Sequence, residues 1–158
     1  AYIDTDYAKV SPFNDASHYH TKCQINNFND QNEVEYCRLS NLPDLDQDNA
    51  FVRSFLLKWV KDVVQEFGFD GLRVDTTPHV KADFWREYAA SSGVFTIGEV
   101  LNGDIGYVSN YANNALDATM NYPIYFNLKS VFNYKQSMYA LRNTLNDEAK
   151  SFRDMDSL

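Results

Sequence analysis

The chain has 158 residues, 44% apolar and 15% aromatic, enough for one domain with a sizeable core and unlike a disordered or fibrous composition. Fourteen Lys and Arg against twenty-two Asp and Glu give a formal charge of -8. That balance repels phosphate backbones and anionic lipid, so no nucleic acid and no membrane is expected as a partner.

No run approaches the roughly 20 apolar residues of a spanning helix. The opening Ala1-Tyr2-Ile3-Asp4-Thr5-Asp6 has neither the basic start nor the apolar segment of a secretory leader. Residues 1–49 are rich in Asn, Asp, Ser and aromatics and show no sustained period, which predicts an irregular lobe. The lobe holds Cys23 and Cys37. Bonded, they would close a ring of about 15 residues, worth about 3 kcal/mol in the chain-entropy model and pointing to an oxidising compartment. The spacing alone is equally compatible with two free buried thiols.

From Ala50 the pattern changes: Phe51, Phe55, Leu56, Trp59, Val60, Val63, Val64 and Phe67 recur at helical steps. Asp48 or Asn49 can cap this helix and Gly68 can end it. A short apolar run, Phe69 to Val74, follows and stops at Asp75. A second amphipathic stretch spans Ala82 to Ala90, and Val94 to Val100 reads as another strand. Ala118 to Tyr122 is a third candidate strand, while Ile124 to Phe132 and Ser137 to Phe152 read as helices, the latter with Leu141, Leu145 and Ala149 on an apolar face. Short buried strands alternating with helices imply parallel pairing and an α/β class, with a soft subdomain boundary near Asn49.

In Gly71-Leu72-Arg73-Val74-Asp75 side chains alternate, so Arg73 and Asp75 share a face at a strand end. A carboxylate beside a guanidinium has its charged form favoured, which makes Asp75 a candidate nucleophile, although such an Asp is more often a helix cap or half of an ion pair. The next strand ends Thr96-Ile97-Gly98-Glu99-Val100, with a carboxyl after apolar residues. Partial burial there would keep a proton available, so Glu99 is a candidate general acid, against the blander reading of a solvated Glu. Neighbouring parallel strands lie about 5 Å apart, the carboxyl separation of a retaining glycosidase.

The segments Gly71 to Val80 and Gly98-Glu99-Val100 resemble the fourth- and fifth-strand motifs of the alpha-amylase family. The likeness extends to the Cys23 to Cys37 stretch, Leu42-Pro43-Asp44-Leu45-Asp46, Asp83-Phe84-Trp85 and Asn121-Tyr122-Pro123-Ile124-Tyr125, all similar to fungal-type members. It implies a partial (β/α)8 barrel, about strands four to six, in residues 50–158, preceded in residues 1–49 by the end of an inserted calcium-binding lobe. Carried over by position, it implies Asp75 as nucleophile, Glu99 as acid/base and Arg73 as the residue keeping Asp75 ionised. His79, Leu101 and Gly103 would contact sugar. A Ca2+ ion would take the Asp44 carboxylate and the backbone carbonyls of Glu35 and His79, hard oxygen donors as calcium requires. Cys23 and Cys37 are carried as a disulfide on the same likeness.

The chain departs from the pattern at Asn102, where an Asp is frequent, and at Pro78, where fungal-type members commonly have a Lys. A complete barrel of this kind needs eight strands and about 250 residues. The family's third catalytic Asp is therefore expected beyond Leu158, and the chain alone is expected to be inactive. The resemblance implies a secreted, monomeric parent enzyme that cleaves starch or glycogen. A related α-glucosidase, a glucosyl transferase or a noncatalytic carbohydrate-binding relative would carry the same fold.

Overall fold

The computed structural model describes residues 4–158, so the first half of the polar opening Ala1 to Asp6 lies outside it. Its element order is α1 (Gln31–Tyr36), α2 (Ala50–Phe67), β1 (Gly71–Val74), α3 (Ala82–Ser92), β2 (Phe95–Gly98), α4 (Ile105–Asn114), β3 (Ala118–Thr119), α5 (Tyr122–Tyr134) and α6 (Tyr139–Ser151). The three strands form one parallel sheet in the order β1-β2-β3, as an α/β chain requires. Two compact units result. One takes the described residues through Gly68 together with Pro78–Ser92, and the other takes Phe69–Thr77 with Gly93–Leu158.

In the first unit, the Asn49 side chain accepts from the backbone N–H groups of Phe51 and Val52 at the start of α2. Gly68 ends the helix with φ 66° and a backbone N–H bonded to the Val64 carbonyl. The deeply buried positions of α2 are Val52, Val60 and Val64, whereas Trp59 and Phe67 stay exposed. The helix therefore buries a β-branched stripe rather than the aromatic side its periodicity emphasises. Its Arg53 reaches both Glu87 and Asp83 of α3 and lies 5.5 Å from the centre of the Phe84 ring.

The irregular stretch before α2 is held by small devices: the six-residue α1, two 3-10 turns, and isolated bridges pairing Tyr19 with Leu45 and Gln24 with Arg38. Asp30 caps α1 through the Asn32 N–H, which is how a helix forms inside a segment with no sustained period. Cys23 and Cys37 are bonded to one another, which resolves the alternative of two free thiols. Phe13 packs edge-on against Phe55 at 5.2 Å, and His18 stacks on Phe51 at 4.8 Å.

In the second unit the sheet is short, its strands covering four, four and two residues. β3 covers two residues rather than the five expected, since Asn121 leaves the strand to cap α5 through the Ile124 N–H. α4 was not anticipated. It is capped by Asp104 and buries Val108, Tyr111 and Ala112. The expected apolar face of α6 is also corrected: Leu145 is exposed and Ala149 faces outward, while Thr144 and Glu148 are buried. The packing partners α4 and α5 select that face. Thr144 satisfies its hydroxyl on the Ala140 carbonyl, and burial pushes the Glu148 carboxyl above its ordinary range. Among the described residues no helix is long and apolar enough to cross a membrane.

Candidate active site

The register pairs Val74 of β1 with Gly98 of β2, so Asp75 and Glu99 each stand one residue beyond a matched pair. The ladder continues past the strands. The Glu99 N–H donates to the Val74 carbonyl at 2.8 Å, and the Thr77 N–H donates to the Glu99 carbonyl at 3.1 Å. The main chain of Glu99 is thus fixed on both sides. Thr77 closes the turn after β1 with a hydroxyl bond to the Val74 carbonyl, and Thr76 takes the left-handed φ of 48° that turns the chain.

Gly98 is the hinge of this arrangement. A Cβ there would stand 2.6 Å from Leu116 Cδ1 and 2.8 Å from Thr77 Oγ1, so only glycine lets β2 pass at this level. On the far side, the Asp117 carboxylate accepts from both the N–H and hydroxyl of Thr96 at 2.8 Å, tying the entry of β3 to β2.

Arg73 bridges the two carboxyls, with one guanidinium nitrogen 3.1 Å from Asp75 Oδ1 and the other 3.1 Å from Glu99 Oε2. A hydrogen bond shared with Glu99, the Arg73 charge and the Thr76 N–H hold Asp75 below the usual carboxylate range. Asp75 is well exposed, while the Glu99 side chain is largely shielded at 20% exposure. The second oxygen of Glu99, Oε1, accepts from the Tyr122 hydroxyl at 2.9 Å. In the sequence Tyr122 stands at the end of the expected strand Ala118 to Tyr122 and in the Asn121-Tyr122-Pro123 likeness, whereas in the structure it opens α5. Its signal was position: the first residue of a capped helix directly after a strand end.

Of the other expected sugar contacts, Leu101 is exposed in the loop following Glu99. Gly103 lies in the same loop, where an added Cβ would meet the Phe126 ring at 3.3 Å. His79 belongs to the first compact unit, where its Nδ1 donates to the Val34 carbonyl at 3.1 Å.

The expected calcium donors all fall in that first unit. Gln31 of α1 donates to both the Glu35 carboxylate and the Pro78 carbonyl, which brings the start of α1 beside Pro78. Asp44 sits with His20, whose Nδ1 is 2.8 Å from Asp44 Oδ2 and whose Nε2 is 3.2 Å from Asp46 Oδ1. Burial lowers the His20 pKa, but the Asp44 hydrogen bond and the charges of Asp44, Asp46 and Asp48 outweigh it, and the net shift is upward. Among the described residues no group of three or more His, Cys, Asp or Glu side chains is placed to hold a metal ion. The expected set draws only one side chain from this chain, and its oxygen donors suit calcium.

The described geometry is that of an α/β enzyme with a paired-carboxyl site at the strand ends. A family model described as the alpha-amylase catalytic domain matches residues 2–156. Alpha-amylase 1 of Lipomyces kononenkoae is 36% identical over 135 residues, covering 83% of this chain and 22% of that protein. Alpha-amylase 2 of Schizosaccharomyces pombe is 39% identical over 132 residues, covering 80% and 23% respectively. The structure of an alpha-amylase from Malbranchea cinnamomea matches with a TM-score of 0.90 at 34% identity, over 95% of this chain and 33% of that one. The chain belongs to the alpha-amylase family of glycoside hydrolases. It spans between about a fifth and a third of the length of these relatives.

Proposed function

We propose that the protein of which this chain is a part hydrolyses internal α-1,4 bonds of starch or glycogen with retention of anomeric configuration. The observation that carries this reading is the Arg73 bridge between Asp75 and Glu99 at adjacent parallel strand ends. In the first step the Asp75 carboxylate attacks the anomeric carbon. The glycosidic C–O bond breaks, and the Glu99 proton goes to the departing oxygen. In the second step the Glu99 carboxylate takes a proton from water, whose oxygen attacks the same carbon and releases Asp75. Asp75, held below the usual carboxylate range, is ionised at neutral pH and loses this competence only as pH falls through its lowered pKa.

The same reading makes β1, β2 and β3 the fourth to sixth strands of a (β/α)8 barrel, with residues 50–158 its central part. Residues 1–49 are the end of an inserted lobe, a role supported by their short turns and single disulfide. His79, Leu101 and Gly103 contact the substrate. Asp44, with the carbonyls of Glu35 and His79, holds calcium, which would supply the charge that organises this segment. The third catalytic Asp belongs to another part of a secreted, monomeric parent, and the Cys23–Cys37 bond fits an oxidising compartment.

The test is starch cleavage by the full-length protein and its Asp75→Asn and Glu99→Gln variants. Wild type should release α-configured maltooligosaccharides, and each variant should lose at least about 10³-fold in kcat. Intact starch with a folded wild-type enzyme would reject the reading. Transfer products without net hydrolysis would replace it with glucosyl transfer.

A further inference from the structure

Arg73 is one of the groups that grip Glu99, and it can act in one direction only. A guanidinium donates and never accepts, so it supports the carboxylate form. An acid/base group must pass through both protonation states in each turnover, and the proton has to be presented along a fixed direction. A hydroxyl can donate to a carboxylate and accept from a carboxylic acid. Tyr122 places such a hydroxyl 2.9 Å from Glu99 Oε1, on the oxygen that Arg73 does not hold.

The mount of this hydroxyl is rigid. Tyr122 opens α5, its N–H is bonded to the Met120 carbonyl at 2.8 Å, and the Asn121 cap and Pro123 fix the first turn. Its ring packs edge-on against Tyr125 at 5.9 Å and lies 6.1 Å from Phe126. Glu99 itself is fixed through its backbone to β1 and the turn after it. A fixed acid facing a fixed hydroxyl across one hydrogen bond is a built arrangement rather than a surface encounter.

We propose that Tyr122 is a positioning residue for the acid/base: its hydroxyl holds Glu99 Oε1 in both protonation states and sets the direction in which the proton is presented. This rests on the reading of Glu99 as acid/base given above. The charged and titratable groups facing the pair are Arg73 and Asp75 from β1 and its end, and Tyr122 and Tyr125 from α5. The hydrogen bond with Glu99, then burial, raises the Tyr122 hydroxyl above the ordinary phenol range, so it remains a protonated donor across neutral pH.

The sign of the pH effect follows. A bond donated to a charged carboxylate is stronger than one accepted from a neutral acid, so losing the hydroxyl favours the protonated form on balance. The first step needs that form, so the basic limb of kcat/KM moves to higher pH. A hydrogen bond to a charged group corresponds to a shift of about one unit.

The experiment uses the full-length enzyme with Tyr122→Phe, assayed on starch and on α-maltosyl fluoride, whose fluoride leaves without needing a proton. Tyr122→Phe should move the basic limb up by about one unit and lower kcat on starch, with KM little changed. The loss on starch should exceed the loss on the fluoride by ~10-fold, as general-acid effects do. Incorporating 3-fluorotyrosine at position 122 keeps the ring and strengthens the donor, so the limb should move down. Equal losses on both substrates, or an unmoved limb with both replacements, would reduce Tyr122 to a packing residue and overturn the proposal. Failure of wild type on starch would instead reject the underlying functional reading.

Discussion

At the scale of single residues, the site depends as much on what Gly98 lacks as on what Asp75 and Glu99 carry. The space a Cβ would need is already taken by Leu116 and Thr77. Gly98→Ala should therefore force a shift in β2, costing about 1–3 kcal/mol as overpacking does, and turn Glu99 away from Arg73. A lower thermal midpoint together with reduced kcat on starch is the expected outcome. A loss of stability with kcat intact would mean that the shift is absorbed on the Leu116 side. Asp75, Arg73 and Glu99 were legible because strand alternation and strand ends locate side chains directly. Tyr122 was not, because one of eleven tyrosines at a helix start looks like any aromatic that buries its ring.

At the scale of elements, the helix ends were the most legible features and the faces the least. Asn49 holds the first turn of α2 through two backbone N–H groups, and its own amide donates to the Ser17 carbonyl at 2.9 Å. Asn49→Ala removes both functions and should cost about 1–2 kcal/mol, toward the upper end for an N-cap. Asn49→Asp keeps the cap and should recover most of it. The midpoint of urea denaturation in the full-length protein measures both. Faces are set by neighbours that a local pattern cannot see. α6 turns Thr144 and Glu148 inward because α4 and α5 pack there, and α2 buries valines where its aromatics gave the stronger period. α4 escaped notice because Gly106 and three asparagines weaken its intrinsic preference, leaving Asp104 and a short buried stripe to carry it.

At the scale of the whole molecule, the division into compact units could not be read along the chain. Pro78–Ser92 follows β1 in sequence yet joins the unit built from the polar opening and α2. Its allegiance comes from long-range pairs such as Lys81 with Asp48, and Arg53 with Glu87 and Asp83. The candidate calcium donors Asp44, Glu35 and His79 fall within this one unit, so the ion should act on its stability. Chelation should lower the thermal midpoint of the full-length protein. The loss is about 2.7 kcal/mol when calcium had been present at 100 times its Kd. Asp44→Asn should lower the midpoint similarly and leave little further response to chelator. An Asp44→Asn protein that responds to chelator as wild type does would place the ion elsewhere. The family itself was legible from two strand-end motifs, because they are where fold and chemistry coincide.

The backbone pairing of Glu99 with Val74 and Thr77, and the contact of Gly98 with Thr77, join two segments that sequence comparison treats as separate signatures. Physically they are one heritable block. In recombination between relatives, a crossover falling between Thr77 and Gly98 exchanges half of a fitted joint, and parents that differ at either position would leave descendants that keep both signatures yet misaim the Glu99 carboxyl.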